Sequence, residues 1–90
     1  MESKRLVQCK VSAGFFGSEY LVVVAGSSAF VDRDSVRVKK APKEGEVDGR
    51  VEAYVIEEAE DKALIELPGE LVVGGARTWV PKTLLTAASA

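Results

Sequence analysis

Arg77-Thr78-Trp79-Val80-Pro81-Lys82-Thr83-Leu84-Leu85 decides how this chain reads, because its outline occurs earlier as Ser28-Ala29-Phe30-Val31-Asp32-Arg33-Asp34-Ser35-Val36. In each copy an aromatic residue and a valine lead. A break follows, Pro81-Lys82 in one copy and Asp32-Arg33 in the other, and then a polar residue and an apolar one. Aromatic and β-branched residues suit a half-buried strand. Proline stops the ladder, and aspartate can cap a turn through its side chain. Each copy therefore reads as a short strand that enters a single 3₁₀ or helical turn and restarts in a new direction. Trp79 and its counterpart Phe30 are expected to fill the core beside Val80 and Val31.

Working back from the first copy, Val7, Cys9 and Val11 alternate with Gln8, Lys10 and Ser12, the period of a strand with one buried face. Cys9 then reads as a small buried hydrophobe rather than a reactive thiol. Gly14-Phe15-Phe16-Gly17-Ser18 is a turn, and its two phenylalanines are expected to fold back over an open end of the core, or else to form an exposed contact patch. Tyr20 to Ala25 is apolar on both faces and reads as a strand that lies centrally or against a partner. Gly26-Ser27-Ser28 reads as a loop. Val36 to Lys39 closes the first half.

The stretch 40–48, with Lys40-Ala41-Pro42-Lys43-Glu44-Gly45-Glu46 at its heart, reads as a linker. Beyond it, Val51, Ala53 and Val55 share one face. Glu57-Glu58-Ala59-Glu60-Asp61 makes a solvated turn, and Ala63, Ile65 and Leu67 alternate again. Pro68-Gly69 ends that strand. Glu70 to Ala76 reads as a long loop before the second copy, and residues 86–90 as a weakly patterned end. The halves 5–39 and 49–86 thus align as three strands each. Val22-Val23-Val24 matches Leu64-Ile65-Glu66 at an offset near 42, and Phe30-Val31 matches Trp79-Val80 at 49.

The close of each half, aromatic-Val-Pro-x-x-Leu in its clearer form, resembles the end of SH3-like barrels, where a strand meets a 3₁₀ turn and then a last strand. That resemblance implies a fold only. The Ala-Leu-Tyr opening and acidic loop of peptide-binding SH3 domains are absent, so no polyproline groove is carried over. The expected architecture is a single all-β domain, either a small twisted barrel or two packed sheets, built from two similar three-stranded halves.

Composition narrows function mostly by exclusion. The 90 residues contain no histidine and one cysteine, which rules out a histidine base, an intrachain disulfide and a zinc site of several Cys or His ligands. No phosphate-binding loop or dinucleotide fingerprint occurs. No metal, cofactor, small-molecule substrate or catalytic residue is expected, and the chain reads as a non-enzyme. No apolar run approaches the length of a membrane span, and no signal-peptide pattern follows Met1, so a reducing, cytoplasmic setting is expected.

Charge is uneven. Residues 1–43 carry eight basic and four acidic groups, net +4, whereas 44–90 carry four basic and ten acidic, net −6. Two readings follow. The first is a protein-interaction or assembly module, with a homodimer as one form, whose contacts are Phe15 and Phe16 at a hairpin tip and Leu71, Val72 and Val73 in the long loop. The second is a nucleic-acid-binding barrel that uses Lys10, Arg33, Arg37, Lys39, Lys40 and Lys43, with Phe15, Phe16, Tyr20 and Phe30 for stacking. The acidic pI of 5.1 weighs against the second.

Overall fold

The structure, a computed structural model, describes residues 3–74 and 77–87. Alternation converts directly into strands. The first half supplies β1 (Ser3–Ala13), β2 (Glu19–Val24), β3 (Ser27–Asp32) and β4 (Val36–Val38), with a 3₁₀ turn over Arg33–Ser35 between the last two. The second half supplies β5 (Val47–Glu58), β6 (Lys62–Glu66), β7 (Glu70–Val73), β8 (Arg77–Pro81) and β9 (Leu85–Ala87), with a 3₁₀ turn over Lys82–Leu84 before β9. Among the described residues there is no α-helix, and no helix long and apolar enough to cross a membrane. All pairings are antiparallel, in the order β7-β3-β2-β1-β5-β6-β8, with β4 added to β5 and β9 added to β1. The sheet curls into a nearly closed six-stranded barrel.

The core is one cluster of inward residues. Val7, Cys9 and Val11 of β1 meet Val51, Ala53 and Val55 of β5, with Tyr20, Val22 and Val24 of β2 and Ala63 and Ile65 of β6 completing it. A side chain of Val or Ile size contributes roughly 1.5–3 kcal/mol when fully buried. Leu6 is also fully buried but points to the other face of β1, between its cross-strand neighbours Glu52 and Thr86. Pro42 is buried too, so the segment between β4 and β5 is pinned to the barrel rather than freely solvated.

The two halves repeat one set of backbone contacts. Val11 pairs with Val22 as Val55 pairs with Ile65, and Tyr20 pairs with Val31 as Ala63 pairs with Val80. The Arg33 N–H donates to the Ser18 carbonyl at 3.1 Å, and the Lys82 N–H donates to the Asp61 carbonyl at 3.0 Å, so the same bond sets the entry to both 3₁₀ turns. Val7 faces Val51 across β1 and β5; Val51 also pairs with Val36 of β4, and Val7 with Leu85 of β9. Each closing strand therefore crosses to the first strand of the opposite half.

Several expectations are corrected. Val22 corresponds to Ile65, one position along from the alignment by sequence. Each half has more than three strands, because the residues after each 3₁₀ turn form a short strand of their own. Ser27 and Ser28 belong to β3, which pairs along its whole length with Glu19–Val24 of β2. Asp32 makes no side-chain cap bond; the backbone bond to Ser18 does that work. Leu71, Val72 and Val73 are not in a loop but in β7, which pairs with Ser28, Ala29 and Phe30 of β3. Thr86 and Ala87 pair with β1, while residues 88–90 lie outside the described residues, as do Gly75 and Ala76.

Candidate interaction surfaces

The β1–β2 turn carries the most exposed apolar groups described. Phe15 is 84% exposed and Phe16 71%. They do not fold over an open end of the core. Phe15 instead lies outside the barrel against Phe30, with ring centroids 5.2 Å apart and planes tilted by 43°. Val72, half exposed on β7, is the other member of the expected contact set whose side chain is described; the side chains of Leu71 and Val73 lie outside the described residues.

Trp79 also faces out, at 39% exposure, rather than into the core. The cause is alternation: of two consecutive strand residues only one can face inward. Val80, opposite Ala63, takes the interior, and Trp79 lies beside Leu64 on the outer face. The Lys62 ammonium sits 5.7 Å from its ring centroid, a cation–π distance. Phe30 and Leu21 form the corresponding outward pair in the first half. There Phe15 covers the aromatic ring.

The basic residues are dispersed rather than gathered into a stripe. Lys10 pairs with Asp48, whose hydrogen bond and charge hold the Lys10 pKa above its ordinary value. Arg33 lies over the Tyr20 ring at 4.5 Å, and Tyr20 is buried, so neither is presented for stacking. Arg37 donates to the Asp34 carbonyl at 3.0 Å and to Glu52 at 3.1 Å. Lys43 stands exposed in the segment between β4 and β5. Two of the four ion pairs among the described residues, Lys10–Asp48 and Arg37–Glu52, join the basic half to the acidic one. Exposed pairs of this kind are screened by solvent and contribute little to stability.

Lys39 and Lys40 do converge, in company the sequence does not reveal. With Arg37 and Arg50 they border an open groove of about 720 Å³ where β4 ends and β5 begins. Arg50 was not among the expected basic residues, because it lies in the acidic half; only the register shows it directly opposite Arg37. Its apolar lining residues are Cys9, Val38 and Val47. Burial pushes the Cys9 thiol up to about 12, so the groove meets a neutral, unreactive sulfur there.

No model of a known protein family matches the chain, no curated protein matches it, and no solved structure matches it.

Proposed function

We propose that this chain is a non-catalytic interaction module of SH3-like form that joins copies of itself through the Phe15–Phe16 tip. One observation carries the reading. The second half turns its corresponding corner with Ala59, Glu60 and Asp61, closed by the Ala59 N–H to Lys62 carbonyl bond at 2.8 Å. Folding therefore does not require aromatics at such a corner, yet the first half places two of them in solvent. Exposed aromatics are frequent anchors of protein contacts.

The occupant that fits is the opposite half of a second copy. Its outer face offers Leu64 and Trp79, and the neighbouring β5–β6 turn carries Glu57, Glu58, Glu60 and Asp61. The tip belongs to the half with net charge +4 and the receiving face to the half with −6, so approach of the two is favourable. Sedimentation velocity across a concentration series tests this. Association is expected for the native chain, and Phe16→Ser, which removes a ring with no core contact, is expected to weaken it at least about tenfold. A native chain that stays monomeric at about 1 mM and low salt, where charge attraction is least screened, overturns the reading.

A further inference from the structure

We infer that the groove between the end of β4 and the start of β5 binds a linear chain of phosphate groups. This site is separate from the aromatic tip and stands whether or not the chain self-associates.

The first reason is a local conflict in the fold. Arg37 and Arg50 are direct cross-strand partners, and like charges in that position destabilise a sheet. Glu52 offsets Arg37 alone. Among the described residues, Arg50, Lys39 and Lys40 have no ion-pair partner. Three of the four cations around the groove, Arg50, Lys39 and Lys40, thus keep charge that a multiply charged anion can satisfy, and such an anion also relieves the Arg37–Arg50 repulsion. The one carboxylate on the groove wall, Asp48, is engaged by Lys10.

The second reason is shape. A groove of about 720 Å³ exceeds what one inorganic phosphate needs and has room for a longer ligand. Its walls offer guanidinium forks, which match phosphate oxygens two at a time, and ammonium groups. No aromatic side chain lines it. The ligand is thus held by its backbone charge and not by stacked bases, and binding should be indifferent to base sequence.

The acidic character of the chain does not block such a ligand. The carboxylates of the β5–β6 turn begin with Glu57 near the far end of β5, eight residues beyond Gly49. At about 3.3 Å per residue that is roughly 26 Å along the strand. The screening length at physiological salt is about 8 Å. Nearer the groove, Asp48 and Glu52 are engaged by Lys10 and Arg37, and Glu46 acts on Lys10, which leaves Arg50, Lys39 and Lys40 to set the local field.

Fluorescence anisotropy tests the inference with three probes: a labelled oligo-dT of about 15 nucleotides, inorganic polyphosphate as a competitor, and inorganic phosphate as a competitor. Binding is expected to fall with salt, each phosphate contact adding about 0.7 to the log–log slope for a single strand. The double variant R50A/K40A should lose about tenfold in affinity at low salt and about 1.4 in slope. Arg50→Lys should retain most of the binding, and Phe16→Ser all of it. Circular dichroism verifies that each variant remains folded; if R50A/K40A does not, Lys39→Ala and Lys40→Ala are read singly. Competition by polyphosphate as well as oligo-dT identifies the shared phosphate chain as the ligand. Preference for oligo-dT alone assigns the groove to nucleic acid. Absence of binding at about 20 mM salt, or affinity unchanged in the double variant, overturns the inference.

Discussion

Gly26 and Gly69 form a matched pair for testing how the barrel holds β7. Both lie in the left-handed region, with φ of +86° and +87°. A Cβ at Gly26 would meet nothing within 4 Å, whereas one at Gly69 would lie 2.1 Å from the Phe30 carbonyl oxygen. Gly26→Ala thus carries only the conformational cost of a left-handed alanine, about 1–2 kcal/mol. Gly69→Ala carries the same cost and must also retreat close to 1 Å from a backbone atom that cannot rotate away. That retreat loosens the β3–β7 ladder, whose register comprises Phe30–Glu70, Ala29–Leu71 and Ser28–Val73. At about 1 kcal/mol for each ladder hydrogen bond lost, the further cost is about 2–3 kcal/mol. The expected totals are about 1–2 kcal/mol for Gly26→Ala and about 3–5 for Gly69→Ala. For a domain of this size each kcal/mol lowers Tm by about 4–8 °C. Urea unfolding followed by circular dichroism measures both variants under one slope. If their stabilities agree within about 0.5 kcal/mol, the close approach of Gly69 to Phe30 does not hold β7 and the reasoning fails.

Two further perturbations test the interior and the outer face. The Cys9 thiol, raised by burial to about 12 from an ordinary 9.0, stays neutral in the fold at pH values where the unfolded chain ionises. Its contribution is therefore complete below pH 9.0 and is lost as pH climbs toward about 12, at up to about 1.4 kcal/mol per pH unit. Cys9→Ala should flatten that alkaline slope in urea titrations, and an unchanged slope would count against the burial. Ile65→Ala, at a fully buried position, should cost about 2–5 kcal/mol, while Trp79→Ala should cost about 1, since its ring rests on one outer face. Equal losses in the two would place Trp79 in the core after all.

The β character of the chain is legible because its alternation is strict. Val7, Cys9 and Val11 go inward, as do Val51, Ala53 and Val55, and Ala63, Ile65 and Leu67. The strand–turn–strand stretch is legible for the same reason, helped by the break at Pro81-Lys82. What alternation does not carry is which strands meet. Arg50 sits in a segment of acidic residues, and its position against Arg37 arises from a pairing of β4 with β5 across the midpoint of the chain. β7 reads as a loop because two glycines follow it and it lacks a clear alternation. Its partner, β3, lies far earlier in the sequence. Trp79 is a different kind of miss: hydrophobicity outweighed period, although Val80 beside it already claims the inward place.

The exchange of closing strands between halves has a consequence for how the barrel is made. Arg5 pairs with Ala87, and Val7 with Leu85, so the edge of β1 that β2 joins over Lys10–Ala13 waits for nearly the whole chain before its N-terminal part is filled. The other edge waits for β5, and β4 likewise has no seat until β5 arrives. A nascent chain emerging at about 5–20 residues per second therefore carries an incomplete first half for several seconds, with apolar strand edges open. Long-range pairings of this kind slow folding, because the loop must close before any contact rewards it. The same interlock means that neither half can unravel by itself once the barrel is formed. Its birth is its most vulnerable moment, and the demand on folding assistance should fall on the ribosome-bound chain rather than on the finished protein.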